Sequence, residues 1–155
     1  MKKSAKRILL VGFILFLLIQ IYQPDRNTDK GQAPSDGFAS LYNAPKEIQN
    51  ILQNSCYDCH SNNTNYPAYS YIQPARYFME KHIKEGKGEL NFNEWTNYGA
   101  RKQRNKLNGI IQQIEDDKMP LDSYTFLHQN AKLSDIQKVE MIKWLNIIQK
   151  QQYDR

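Results

Sequence analysis

At 155 residues the chain has room for one ordinary domain and an appendage. Its formal charge of +5 does not indicate a nucleic-acid binder. Lys2, Lys3, Lys6 and Arg7 all precede an apolar N-terminal run, and without them 21 − 4 = 17 Lys+Arg face 16 Asp+Glu, so the rest is nearly neutral.

After a basic stub at 1–7, the segment 8–22 is apolar, interrupted only by Gly12 and Gln20, and no cation follows until Arg26. Cations before an apolar run and none just after it obey the positive-inside rule. The run is shorter than the ~20 residues that comfortably span a bilayer. It ends in Gln20-Ile21-Tyr22-Gln23-Pro24, with no small-x-small cleavage site and no cysteine to carry a lipid. The expectation is an uncleaved signal anchor: a single-pass bacterial cytoplasmic-membrane protein with its domain on the periplasmic side. Residues 23–43, carrying Pro24, Gly31, Pro34, Ser35 and Gly37, read as a flexible tether.

The domain over 44–150 shows helical periodicity and no alternating strand pattern, so its fold class is all-α. Pro45 opens a short helix whose Ile48, Ile51 and Leu52 share one face, and this helix leads into Cys56-Tyr57-Asp58-Cys59-His60. Those two cysteines are the only ones in the chain. They stand too close to staple a large loop, so a disulfide framework is excluded. C-x-x-C-H is the pattern of c-type haem attachment: two thiols add to the porphyrin vinyl groups and the next residue's imidazole meets the iron. A zinc site would need further ligands at a paired spacing, and a thioredoxin-like dithiol would need a strand–helix context; neither is present. The remaining sequence is rich in Asn, Gln, Lys and Tyr, which predicts a modest apolar core that leans on its cofactor to fold.

Tyr66, Tyr69 and Tyr71 follow a polar turn and are expected to line the haem pocket, the alternative being ordinary packing of an aromatic loop. Pro74 opens a second helix to about Glu85, with Gly86 and Gly88 as its stop. Asn91-Phe92-Asn93-Glu94 resembles a capping box and predicts one long helix towards Asp117, weakened at Gly99 and Gly109. Its basic run, Arg101, Lys102, Arg104 and Lys106, reads as a solvated face. Ser134-Asp135-Ile136-Gln137 caps a terminal helix with Ile136, Val139, Ile142, Trp144, Leu145 and Ile148 as its buried face.

With His60 on one side of the iron, candidates for the other are Met79, Met119, Met141, His82 and His128. Met79 and Met141 sit in periodic helices, where methionine is usually packing, and His82 stands among lysines. Met119 is expected as the distal ligand, because it sits in a loop fixed by Pro120 and is well separated from His60; His128 is second. A thioether ligand raises the potential and suits electron transfer.

Together these residues resemble a class I cytochrome c. More closely, the chain resembles the bacterial haem-binding domain family, small exported proteins sometimes joined to cytochrome c peroxidase-like enzymes. The resemblance rests on Cys56-Tyr57-Asp58-Cys59-His60-Ser61-Asn62, Thr64-x-Tyr66-Pro67-x-Tyr69-Ser70, His82-Ile83-x-Glu85-Gly86, Leu90-Asn91-Phe92-x-x-Trp95, Met119-Pro120-Leu121-x-Ser123-Tyr124 and Ala131-x-Leu133-Ser134. It implies one haem c per chain on Cys56 and Cys59, His60 as proximal ligand, and Met119 at the family's Met-Pro position. The chain departs at Ala68, where relatives often carry tryptophan, and near Tyr77 and Phe78, where they carry indoles. Three functions follow as expectations: a membrane-anchored one-electron carrier with a membrane-associated redox partner, a peroxidase-like enzyme or sensor with an open distal site, and an accessory module of a larger redox complex.

Overall fold

The computed structural model describes residues 2–28 and 37–153, without the side chains of Lys2 and Tyr153. Among the described residues all regular structure is helical, as the periodicity predicts. The helices are α1 (Lys2–Ile19), α2 (Gly37–Leu41), α3 (Lys46–Ser55), α4 (Tyr57–His60), α5 (Ala75–Glu89), α6 (Ala100–Glu115), α7 (Asp122–Thr125) and α8 (Asp135–Tyr153). Tighter 3₁₀ turns cover Ala68–Tyr71, Phe92–Asn97 and Gln129–Ala131.

Phe38 of α2 stands at the centre of the core, its ring centroid 4.7 Å from those of Phe92 and Trp95 and 5.7 Å from that of Trp144. Leu52 of α3, Leu107 of α6 and Leu145 of α8 complete it, all fully buried. The core is thus rich in aromatic rings, and Ile51, Leu90, Phe92, Ile114, Leu133 and Met141 of it also face the cleft described below. The domain boundary is corrected: Gly37–Leu41, read as tether, is a helix that supplies Phe38 and Ala39 to the interior. The rest of that tether from 29 to 36 lies outside the described residues.

Three predicted helices are redrawn. The one expected to end at Gly86 runs on to Glu89. The one expected from Asn91 to Asp117 is two elements. Phe92–Asn97 is 3₁₀, the chain extends at Tyr98 and Gly99, and α6 starts at Ala100. A three-residue repeat eclipses positions i and i+3, which sets Phe92 and Trp95 on the core side, where Tyr98 just past the turn joins them. The Ser134 capping box forms as predicted: Ser134 N donates to Gln137 Oε1 at 2.9 Å and Gln137 N to Ser134 Oγ at 3.3 Å. The buried stripe of α8, however, is Met141, Trp144, Leu145 and Ile148, while Ile136 and Val139 are exposed.

Among the described residues no helix is long and apolar enough to cross a membrane. Lys2, Lys3, Lys6 and Arg7 occupy the first turns of α1, leaving Ile8–Ile19, which rises roughly 18 Å at about 1.5 Å per residue. A hydrocarbon core is about 30 Å thick. Beyond α1 the chain turns onto the domain: Gln73 N donates to Gln20 Oε1 at 2.9 Å, and Gln73 Nε2 donates to the Tyr22 carbonyl at 2.5 Å.

Candidate functional site

The helix α3 ends at Cys56, whose N–H still donates to the Leu52 carbonyl at 3.0 Å, and one further turn, α4, carries Cys59 and His60. This turn packs against α5 at Gly86. A β-carbon built on Gly86 would stand 2.9 Å from the Cys59 carbonyl oxygen and 3.4 Å from His60 Cε1. Real β-carbons do not approach backbone so closely, so glycine is required for contact rather than for stopping the helix. That contact lets the Gly86 carbonyl accept from His60 Nδ1 at 2.9 Å; the Leu90 carbonyl accepts from the same nitrogen at 3.1 Å. Two carbonyls on Nδ1 fix the proton there and leave Nε2 as the free, basic nitrogen. Burial, the largest influence, holds the His60 pKa below its ordinary value, with a smaller contribution in the same direction from Lys106. The imidazole is therefore a neutral donor, as a metal ligand must be.

His60 opens on a cleft of about 650 Å³, within the range of small-molecule and cofactor sites. Cys56, Cys59, Met119, Tyr124 and Met141 also line it. No disulfide joins Cys56 to Cys59. Burial pushes Cys56 up to about 12 and Cys59 up to about 11, with the neighbouring Cys59 and Asp58 charges adding to each in turn. Redox-active Cys-x-x-Cys pairs carry a depressed pKa, so this environment is the reverse of a thioredoxin-type site. A neutral imidazole, two adjacent thiols and a thioether on one largely apolar cleft form the donor set that suits a haem.

Asp58 organises the loop behind the motif. Its carboxylate accepts from Asn65 N at 2.9 Å and from the Tyr124 hydroxyl at 2.6 Å, while its carbonyl accepts from Thr64 Oγ1 at 2.5 Å. On the next layer, Asn62 N donates to Asn93 Oδ1 and Asn91 Nδ2 to Asn62 Oδ1, both at 2.8 Å. Asp58, Gly86, Asn91 and Tyr124 have no place in the C-x-x-C-H pattern. All four fall in the stretches that carry the family resemblance, which marks them without saying what they do.

The tyrosines expected as pocket walls are elsewhere. Tyr66 and Tyr71 flank Arg26, whose guanidinium lies 4.8 Å and 3.8 Å from their ring centroids, and Tyr69 meets His128 at 3.3 Å. None of the three lines the cleft; Tyr124 does. His128, the second-ranked ligand, stacks on Tyr124 at 4.2 Å and is also outside the cleft lining. Met119 lies on the cleft, half-buried. The α6 end positions it: Asp117 adopts φ 55°, and the N–H groups of Lys118 and Met119 both donate to the Gln113 carbonyl, at 2.9 and 3.1 Å. Met141 is fully buried in the α8 stripe. His82 lines the cleft from α5, one turn before Gly86 and thus from the helix that also supports His60. Met79 is half-buried on α5 and does not line it. Of the basic run, Lys106 reaches the cleft and lies 3.8 Å from Glu89, and Lys102 covers the Tyr98 ring.

Gly86→Ala is expected to force α5 off the motif and break the His60–Gly86 contact. The cost is about 1–3 kcal/mol, the usual range for overpacking, with an altered haem spectrum. Urea unfolding and absorption spectra of the variant check this; a stability within about 0.5 kcal/mol of the parent would contradict the close-contact reading.

A family model described as a haem-binding domain matches residues 14–147. The cytochrome c peroxidase of Escherichia coli (strain K12) is 28% identical over 122 residues, which are 76% of this chain but 26% of that protein. The chain thus spans about a quarter of that relative's length. No solved structure matches the chain. With most of its length matched, and with a neutral imidazole and two thiols on one cleft, the chain belongs to the haem-binding domain family.

Proposed function

We propose that this chain is a c-type cytochrome that passes single electrons, with one haem held by thioethers to Cys56 and Cys59 and by His60 and Met119. When bound, the haem supplies a reversible one-electron couple. The observation that carries the reading is the juxtaposition of His60, its Nδ1 held by two carbonyls, with Cys56, Cys59 and Met119 on one cleft. His60 Nε2 is presented as a neutral donor, and the Gly86 and Leu90 carbonyls hold the ring orientation as the metal's charge changes. Met119 adds a soft thioether, which favours the reduced state. Tyr124, hydrogen-bonded to Asp58, closes the cleft beside the motif without presenting a free acid or base.

The N-terminal apolar run supports a second element of the proposal: the domain is anchored at the outer face of a bacterial cytoplasmic membrane, where c-type haem is attached. Similarity to a stretch of a cytochrome c peroxidase supports an electron-feeding role towards a larger, membrane-associated redox partner. Peroxidase turnover by the chain itself is the competing reading, and a steady-state assay with peroxide and a reduced donor separates the two. The carrier reading expects no rate above free haem.

Met119→Ala tests the ligand set. The parent is expected to show a six-coordinate low-spin spectrum in both oxidation states. The variant is expected to open the distal position, bind carbon monoxide rapidly when reduced, and fall in potential. An unchanged spectrum and potential would remove Met119 from the iron.

A further inference from the structure

The clamp between α1 and the haem domain has a consequence for how the domain meets the membrane. Gln20 and Gln73, 53 residues apart, exchange two hydrogen bonds: Gln73 N to Gln20 Oε1 at 2.9 Å and Gln20 Nε2 to the Gln73 carbonyl at 3.3 Å. Gln73 is almost fully buried and also donates through Nε2 to the Tyr22 carbonyl. Arg76 donates to Gln23 Oε1 and, at 2.5 Å, to the Pro24 carbonyl. Further on, Asn27 N donates to the Tyr66 hydroxyl at 2.7 Å, Asn27 Nδ2 to the Ser61 carbonyl at 2.9 Å, and Lys87 Nζ to Asn27 Oδ1 at 2.6 Å. Residues 20–27 are thus bound along the domain and are not a free linker, so the exit of α1 has a fixed position on the domain surface.

Around that exit the surface is apolar. Ile21, Tyr22, Ile72, Tyr77 and Phe78 are all exposed. They form one patch: the Tyr22 and Tyr77 centroids are 6.3 Å apart, those of Tyr77 and Phe78 are 5.7 Å apart, and Ile72 adjoins Gln73. Large exposed apolar patches mark interaction sites. Here continuity decides the occupant, because Ile21 and Tyr22 directly follow the apolar shaft of α1 and Tyr22 joins it to Tyr77 and Phe78. If that shaft enters lipid, the headgroup boundary is what the patch must face. Amphipathic rings such as those of Tyr22 and Tyr77 are enriched at that depth. The patch also answers the shortness of α1, since side chains flanking a short helix accommodate hydrophobic mismatch.

We infer that the haem domain sits on the bilayer through an aromatic collar of Ile21, Tyr22, Ile72, Tyr77 and Phe78, with its orientation fixed by the Gln20–Gln73 clamp. The inference rests on the membrane anchoring proposed above. It fixes which face of the domain is closed to a soluble partner: the α5 surface around Phe78 faces lipid, and electron exchange takes place elsewhere.

The test uses the full-length, haem-loaded chain in vesicles of phosphatidylethanolamine and phosphatidylglycerol. With Cys56 and Cys59 consumed as thioethers, Phe78→Cys supplies a single free thiol for a nitroxide, and Gln112→Cys on the exposed face of α6 is the control. Collision rates with oxygen and with a water-soluble nickel chelate are compared by electron paramagnetic resonance. The expected result is a ratio shifted strongly towards oxygen at position 78 and towards the chelate at position 112. If the protein stays with the vesicles but both positions give the aqueous ratio, the collar is overturned and the anchor stands. A position 78 that is aqueous in pure lipid and shielded only in native membranes assigns the patch to a protein partner and overturns the collar too. Release of the protein by alkaline carbonate overturns both the anchor and the collar.

Discussion

Phe38→Ala is expected to lower the stability of the domain by about 3–5 kcal/mol, the range for removing a fully buried phenylalanine. That is a large part of the roughly 5–15 kcal/mol that holds a domain of this size together. The effect is large because of what the ring touches. Four aromatic partners, Tyr42, Phe92, Trp95 and Trp144, surround it with centroids between 4.7 and 5.7 Å away, three of them edge-on. Edge-to-face pairs add to the area term, and alanine would leave a cavity where α2, the Phe92–Asn97 turn and α8 meet. The measurement is a urea unfolding midpoint at constant m. A loss below about 1 kcal/mol would mean that α2 is not part of the folded domain. A chain begun at Ala44, the boundary read from composition, is expected to fail in the same way.

His60→Ala has the second large effect, and it is chemical. The variant loses the nitrogen donor and also leaves the Gly86 and Leu90 carbonyls without their shared partner, at about 1–3 kcal/mol if no water replaces it. The low-spin spectrum is expected to disappear. Because the two carbonyls still define the vacated space, free imidazole added to the solution is expected to enter it and restore the spectrum. A variant that keeps a low-spin spectrum without imidazole would show that another residue carries the proximal position.

Much of this was legible in the sequence, and the failures have physical causes. The Cys56–His60 motif and the Ser134 box are local: each is decided by a few neighbouring residues, so chain order suffices. Gly86 reads as a stop because glycine weakens a helix by about 1 kcal/mol, a cost that contact with Cys59 and His60 offsets only in three dimensions. The α8 face was half wrong because its apolar residues cover nearly the whole circumference, so periodicity cannot choose between the Ile136–Val139 side and the Met141–Leu145 side. The helix α2 has five residues and shows no period at all. Proximity to the motif in sequence points Tyr66, Tyr69 and Tyr71 at the cofactor. In space Tyr66 and Tyr71 hold Arg26, while the tyrosine on the cleft, Tyr124, arrives from 66 residues beyond Asp58. The single apolar run at the N-terminus gives a membrane reading, yet α1 alone falls short of a bilayer's thickness, and Pro24 and Asn27, within the expected tether at 23–43, are bound to the domain.

Central to the proposed function is a haem joined by covalent bonds to Cys56 and Cys59. The most direct measurement is the intact mass of the purified, acid-denatured protein, made alongside extraction with acidified butanone and repeated on Cys56→Ser with Cys59→Ser. The predicted result is a polypeptide heavier by one haem that keeps its colour through extraction, and a double variant that has neither property. A parent chain of unmodified mass whose haem passes entirely into the organic phase would contradict it.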